Sequence, residues 1–122
     1  MEALTALRLF ARRFLEATAG FDVLLAPVTT MTPRPLGWFD ADGDGAADFE
    51  RQKRYAAFTA VYNVTGQPTV SLPLWWTDDG LPIGTMLVGR PADEATLVSL
   101  SAQLEEARPW ARRHPPQWHA YR

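Results

Sequence analysis

The spacing of apolar residues predicts three helices. One covers Glu2–Ala19 and ends at Gly20 in a left-handed conformation, because apolar side chains recur there at three- and four-residue steps. A second covers Phe49–Val64. A third follows an N-cap at Asp93 and ends near Arg108. The apolar side chains expected to point inward from the last two helices are Tyr55, Phe58, Val61, Tyr62, Leu97, Leu100 and Leu104.

Three short apolar runs between turn residues predict strands over Asp22–Ala26, Thr69–Leu74 and Ile83–Gly89. The first is expected to be buried on both faces, residues 28–48 to form a loop, and Asp78–Gly80 to form a turn. Three strands make a poor sheet alone, so the pattern indicates part of an α/β architecture. Two strand glycines are expected where another group approaches the backbone closely, Gly84 and Gly89.

Composition narrows the class of protein. The 122 residues are 47% apolar and 21% charged, with a net charge of −2, which is ordinary for a globular chain. This balance gives no electrostatic case for binding nucleic acid or an anionic membrane. The chain lacks cysteine, which excludes disulfides and thiolate sites, and no apolar run is long enough to cross a bilayer. A cytoplasmic location is expected.

Several short motifs, in order, carry a resemblance to a known family. They are Phe21–Pro27, Phe58–Pro68, Ser71–Pro73, Asp79–Gly84, Leu87–Gly89, Asp93–Leu97, Leu104–Glu105 and Pro109–Trp110. From Ala17 to about Pro116 the chain resembles the C-terminal part of the amidase-signature family, nearest to its amidases and cyclic-amide hydrolases. The resemblance implies the C-terminal portion of an α/β/α sandwich with a mixed sheet, about three strands and three helices over residues 1–116, and an irregular tail over 117–122.

The same resemblance implies an activity for the complete enzyme. That activity is hydrolysis of a small-molecule carboxamide to an acid and ammonia or an amine, without a metal or organic cofactor. Members of the family use a Ser–Ser–Lys triad, and its residues lie upstream of the matched region. The chain therefore offers no position to which a catalytic residue can be transferred. Its own serines and lysine are Ser71, Ser99, Ser101 and Lys53.

The histidines offer no replacement for the triad. His114 and His119 lie in the Pro-rich tail, where little holds a side chain in the fixed geometry that catalysis needs. A zinc site from this pair lacks an evident third ligand. We therefore expect neither a His-based catalytic site nor a zinc site.

A substrate pocket wall is a further expectation. In the family, the C-terminal part helps to wall the substrate cleft, which makes Trp38, Tyr62 and Asn63 candidate wall residues. The alternative is that these aromatic side chains cover hydrophobic surface, and this is the favoured interpretation.

The acidic loop resembles part of a calcium-binding loop. Asp40, Asp42, Asp44 and Asp48 fall at its alternating ligand positions, where carboxylate oxygens can surround Ca²⁺. The position that should provide a bidentate carboxylate holds Arg51 instead. A solvated acidic loop is the favoured interpretation.

Three hypotheses follow. The first is an amidase fragment from a truncated gene or a late start codon, inactive alone. The second is a subunit of a split amidase, completed by a separate N-terminal chain. The third is a small non-enzymatic module, with the acidic loop as a candidate calcium site. The first two predict that the purified chain exposes a large apolar surface, because the partners of its sheet and helices are missing.

Overall fold

The computed structural model describes residues 2–40, 43–115 and 118. Helices and strands follow one another in the α/β order that the sequence predicts. The elements are α1 (Glu2–Thr18), β1 (Val23–Pro27), a short 3-10 helix (Trp38–Asp40), α2 (Gly45–Tyr55), α3 (Ala60–Thr65), β2 (Thr69–Trp76), β3 (Pro82–Gly89) and α4 (Glu94–Ala107).

The strands form one sheet in the order β1-β3-β2, with β3 antiparallel to both neighbours. Leu87 marks the register, because it pairs with Leu25 of β1 and with Val70 of β2. The resemblance implied a mixed sheet. The three described strands form an antiparallel sheet, which corresponds to one part of it. Both outer strands leave one edge without a partner among the described residues.

Helix α4 covers one face of this sheet. Leu72, Leu87 and Leu97 form the buried cluster, which confirms Leu97 as an inward position. Partly buried apolar side chains surround this cluster: Val23, Val70, Leu74, Leu100, Leu104 and Trp110. The clustering of Leu72, Leu87 and Leu97 fixes α4 over β2 and β3, since apolar burial is the main force between such layers.

Helices α1 and α3 pack together, with Phe14 edge-on to Tyr62 at 6.2 Å between ring centroids. Leu15 of α1 lines a cavity together with Leu24 and Val88, which lie on the sheet face opposite α4. Val88 is fully buried there. The described chain thus has helix, sheet and helix in three layers, as the resemblance implied.

The predicted crowding at the strand glycines is confirmed. A Cβ built on Gly89 would lie 3.2 Å from Cγ of Leu97 and 3.3 Å from the carbonyl oxygen of Asp93. Gly84 stands opposite a β-bulge, where Pro73 and Leu74 occupy the span between two paired positions of β2. At both positions glycine is needed because another group lies close to the backbone, and not because the chain turns there.

The prediction of one continuous helix over residues 49–64 is wrong, because two helices, α2 and α3, occupy this stretch. Helix α2 starts earlier, at Gly45, after Asp44 accepts hydrogen bonds from the N–H groups of Ala46 and Ala47, and it stops at Tyr55. The chain turns before α3, and the Thr59 hydroxyl donates to the carbonyl of Ala56 at 3.1 Å, a local bond that competes with helical pairing. Because of this break, Phe58 is 39% exposed rather than inward.

Two further expectations are corrected. Gly20 does not adopt a positive φ; the end of α1 is instead closed by the N–H of Phe21, which donates to the carbonyl of Thr18 at 3.1 Å. Strand β1 was expected to be buried on both faces, yet Leu25 is 71% exposed, because β1 is an outer strand and α4 lies over the other two. Gly66 caps the end of α3 with a φ of 72°, a left-handed conformation that glycine adopts readily.

Large apolar side chains are exposed over much of the surface, which agrees with the predicted uncovered faces. They include Leu4, Leu7, Leu9, Phe10, Phe21, Leu25, Leu36, Phe49, Trp75 and Val98. No residue of α1 is buried. Across the part of the chain that the structure describes, no helix combines the length and apolar character needed to cross a membrane.

Candidate functional site

The serine hydroxyls lie on regular secondary structure. Ser71 is exposed in β2, pairs with Met86 of β3, and places its Oγ over Gly84. Ser101 lies in α4 and donates its hydroxyl to the carbonyl of Leu97 at 2.6 Å. Ser99 lies on the exposed side of the same helix. None of these positions is a glycine-rich turn, the kind of segment in which the family holds its nucleophile.

Lys53 lies on the exposed surface of α2. Its Nζ donates to Oε1 of Glu50 at 2.5 Å and lies 5.4 Å from the ring centroid of Phe49. This hydrogen bond, together with the charge of Lys53, lowers the pKa of the Glu50 carboxyl. Within the described part of the chain, the Lys53 ammonium therefore pairs with a carboxylate and not with a serine hydroxyl.

The histidines are placed differently. His114 stacks on Trp118 with 4.6 Å between ring centroids, and His119 lies outside the described residues. Over residues 2–40, 43–115 and 118, no hydrogen bond joins a serine hydroxyl to Lys53 or to His114.

The candidate wall residues fall into two contact groups. Trp38 packs edge-on to Phe39 at 4.9 Å and lies 6.4 Å from Tyr55 of α2, with the Arg34 guanidinium 5.3 Å from its ring. Tyr62 contacts α1 instead, and Asn63, the next residue of α3, is exposed. The proposed wall of Trp38, Tyr62 and Asn63 therefore stays a prediction about the complete enzyme.

The acidic residues of the suggested calcium loop take part in local contacts. Asp40 ends the short 3-10 helix, and Asp42 lies outside the described residues. The Asp44 carboxylate caps α2, and buried Asp48 pairs with Arg51 at 2.5 Å. Among the described residues, no three acidic or histidine side chains converge on a possible metal position. The calcium site stays a prediction.

A buried corner joins α3, β2 and β3. The sequence marked the Phe58–Pro68 motif and Gly89, but not the side-chain hydrogen bonds that join them. Nε2 of Gln67 donates to the carbonyl of Gly89 at 2.9 Å, while its Oε1 accepts from the Thr65 hydroxyl at 3.1 Å. Beside it, Arg90 donates to the carbonyl of Phe21 and to Asp22, at 3.1 and 2.9 Å. The clue in the sequence was the tight Gly66–Pro68 turn, which contains Gln67.

The corner borders a cavity of about 180 Å³, lined by residues from the end of α1, from β1, and from the segment after β3. Its lining side chains include Leu15, Thr18, Leu24, Gln67 and Arg90. The polar groups of Thr18, Gln67 and Arg90 already form hydrogen bonds within the chain. The corner therefore stabilises the sheet and is not a candidate catalytic site.

A larger groove of about 530 Å³ runs between β2 and α4. Its floor includes Val70 and Leu72, and Val98 and Ala102 of α4 form one side. Trp110 lies in its lining. We call this feature the α4 groove. It is mainly apolar and offers no nucleophile or base arrangement.

Comparison with known proteins assigns this architecture. The Amidase family profile matches residues 1–98. The chain is 41% identical over 114 residues to the Mycobacterium tuberculosis protein named "Putative amidase AmiC", covering 93% of this chain and 24% of that protein. It is 38% identical over 103 residues to the 6-aminohexanoate-cyclic-dimer hydrolase of Pseudomonas sp., covering 80% of this chain and 21% of that enzyme.

A solved structure of 6-aminohexanoate cyclic dimer hydrolase superposes with a TM-score of 0.79 at 35% identity, over 90% of this chain and 24% of that one. The chain thus spans about a quarter of the length of the relatives it matches. With the family profile covering most of its residues, the chain belongs to the Amidase family.

Proposed function

We propose that this chain is the C-terminal quarter of an amidase domain that hydrolyses a carboxamide C–N bond. Water supplies oxygen to the acyl carbon, the C–N bond breaks, and the nitrogen leaves as ammonia or an amine with the added proton. The observation that carries the proposal is the superposition on a cyclic-amide hydrolase over 90% of the chain, which places α1–α4 and β1–β3 in the arrangement of a hydrolase.

The proposal assigns the reacting groups to the rest of the domain. Acyl transfer needs a hydroxyl beside a base and N–H donors for the oxyanion. In the described chain, Ser101 is bonded to its own helix and Lys53 is paired with Glu50. The family resemblance places the Ser–Ser–Lys triad in the remaining part, and this quarter then contributes sheet, core and the candidate wall residues Trp38, Tyr62 and Asn63.

The partner in this proposal is the remaining part of the amidase domain, on the same polypeptide or on another. Exposed apolar side chains such as Leu25 and Val98 support it, because each leaves apolar surface in water that a complete domain would cover. The ligand of the complete enzyme is a small-molecule amide.

A chimera tests the proposal. This chain replaces its matching segment in the Pseudomonas hydrolase, giving a protein called the amidase chimera. Ring opening of 6-aminohexanoate cyclic dimer is measured through the new primary amine on the linear product. The hydrolase without that segment is the control. We expect activity from the chimera and none from the control or from this chain alone. A soluble, cooperatively folded chimera without activity would contradict the proposal.

A further inference from the structure

The α4 groove has the shape and chemistry of a helix-docking surface. Val98 is 69% exposed at its side, although it lies next to the buried core residue Leu97. Ser101 and Ala102 follow on the same side of α4, and their small side chains leave room for another backbone to approach. An apolar floor with a small-residue wall suits an amphipathic helix laid beside α4.

Two carboxylates mark the length of this groove. Glu94 and Glu105 both line it, and both are exposed. They are eleven positions apart on α4, so they lie on the order of 16 Å apart along the helix axis. No ion pair within the described part of the chain neutralises either one. A partner with a basic residue toward each end would complement them.

The adjoining sheet edge favours a helix over a strand as the occupant. The N–H of Gly89 donates to the carbonyl of Pro68, which sets the alternation of bonding directions along β3 and β2. Pro73 lies outside the regularly paired positions of β2, and it has no N–H to donate to an added strand. The β-bulge at Pro73 and Leu74 interrupts the edge further.

We propose that the α4 groove binds an amphipathic helix from the part of the amidase domain beyond the matched quarter, with basic residues that meet Glu94 and Glu105. The inference rests on the proposed function, because it takes the remaining part of a hydrolase domain as the partner. The superposed hydrolase is about four times longer than the segment matched here, so it has ample chain to supply such a helix.

Cysteine labelling tests the groove without depending on activity. The chain has no cysteine of its own, so Val98→Cys introduces one thiol at the groove, and Leu36→Cys provides a matched control at a fully exposed apolar position outside it. The maleimide reaction is followed on the peptide that carries each thiol. We expect position 98 to react at least tenfold more slowly in the amidase chimera than in the dilute chain alone, and position 36 to change much less.

The two proposals can fail separately. Equal labelling rates at position 98 in an active chimera would overturn the docking proposal and leave the proposed function standing. Protection that is confined to the isolated chain and grows with its concentration would identify a second copy as the occupant, which also overturns it. Protection in an inactive chimera would support docking and count against the function.

A variant that introduces a charge into the groove adds a second readout. Val98→Glu places a charge against the apolar face of the docked helix, while Leu36→Glu makes the same change outside the α4 groove. We expect Val98→Glu to reduce chimera activity at least tenfold and to expose apolar surface to a fluorescent dye, with Leu36→Glu close to the parent. Equal behaviour of the two variants would contradict the proposal.

Discussion

The Oγ of Ser71 lies 2.8 Å from the point that a Cβ on Gly84 would occupy. Cγ2 of Val28 lies at the same distance from that point, so two neighbours fill the space that a side chain would need. The hydroxyl of Ser71 therefore lies against a strand backbone, opposite a bulge, rather than in a cleft beside a base. This relationship gives Ser71 a packing role and makes Gly84 a requirement of the sheet.

Gly84→Ala is expected to destabilise the amidase chimera by about 1–3 kcal/mol, because the added methyl group must displace Ser71 or Val28. Urea unfolding provides the free energy. Gly45→Ala is the matched control, since nothing lies within 4 Å of a Cβ there, and it should be neutral or stabilising by up to about 1 kcal/mol. Equal effects of the two changes would show that Gly84 is not crowded.

Much of this architecture could be predicted from sequence. Apolar spacing identified α1 and α4 and all three strands, since apolar residues recur at helical steps in the helices and form short runs in the strands. The order of motifs identified the family, and with it the three layers. Glycine in an apolar strand indicated close approach, which Gly84 and Gly89 both show.

The remaining features depend on tertiary contacts. The break between α2 and α3 follows from local hydrogen bonds around Thr59. The spacing of hydrophobic residues does not reveal such bonds. The corner at Gln67 joins positions 22 residues apart, so no local pattern reveals it. Strand direction in the sheet and the exposure of Leu25 depend on which strands become neighbours.

Gln67→Met is expected to destabilise the chimera by about 1–3 kcal/mol, because the carbonyl of buried Gly89 would lose its donor. Gln103→Met is the control, because Gln103 is exposed and makes only a 3.4 Å bond within its helix; its effect should stay within about 0.5 kcal/mol. Urea unfolding measures both. A cost at position 67 no larger than that at position 103 would remove the structural role assigned to this corner.

Ala92 has a φ of 61°, a left-handed conformation that non-glycine residues rarely adopt. Ala92→Gly should therefore raise the unfolding free energy of the amidase chimera, measured by urea unfolding, by up to about 1 kcal/mol. Glycine avoids the clash that a Cβ makes in this conformation. The same change within α4, Ala102→Gly, should lower this free energy by about 0.5–1 kcal/mol. A loss of stability at position 92 would show that the backbone there is not left-handed.

The ion pair between Lys53 and Glu50 is expected to depend on pH. The hydrogen bond from Lys53 lowers the pKa of Glu50, so the pair is intact above the ordinary carboxyl pKa and is lost as pH falls through the lowered value. In Lys53→Gln, NMR titration should find the pKa of Glu50 raised toward its ordinary value. An unchanged pKa would mean that Lys53 is not bound there.

This chain belongs to the Amidase family, and we propose that the nucleophile lies in another part of the domain. A fluorophosphonate that reacts with activated serines, followed by peptide mass mapping of the active chimera, tests it most directly. The predicted result is one modified serine in the part contributed by the hydrolase, with none of Ser71, Ser99 and Ser101 modified. Covalent labelling of any of those three, with matching loss of amide hydrolysis, would contradict the account.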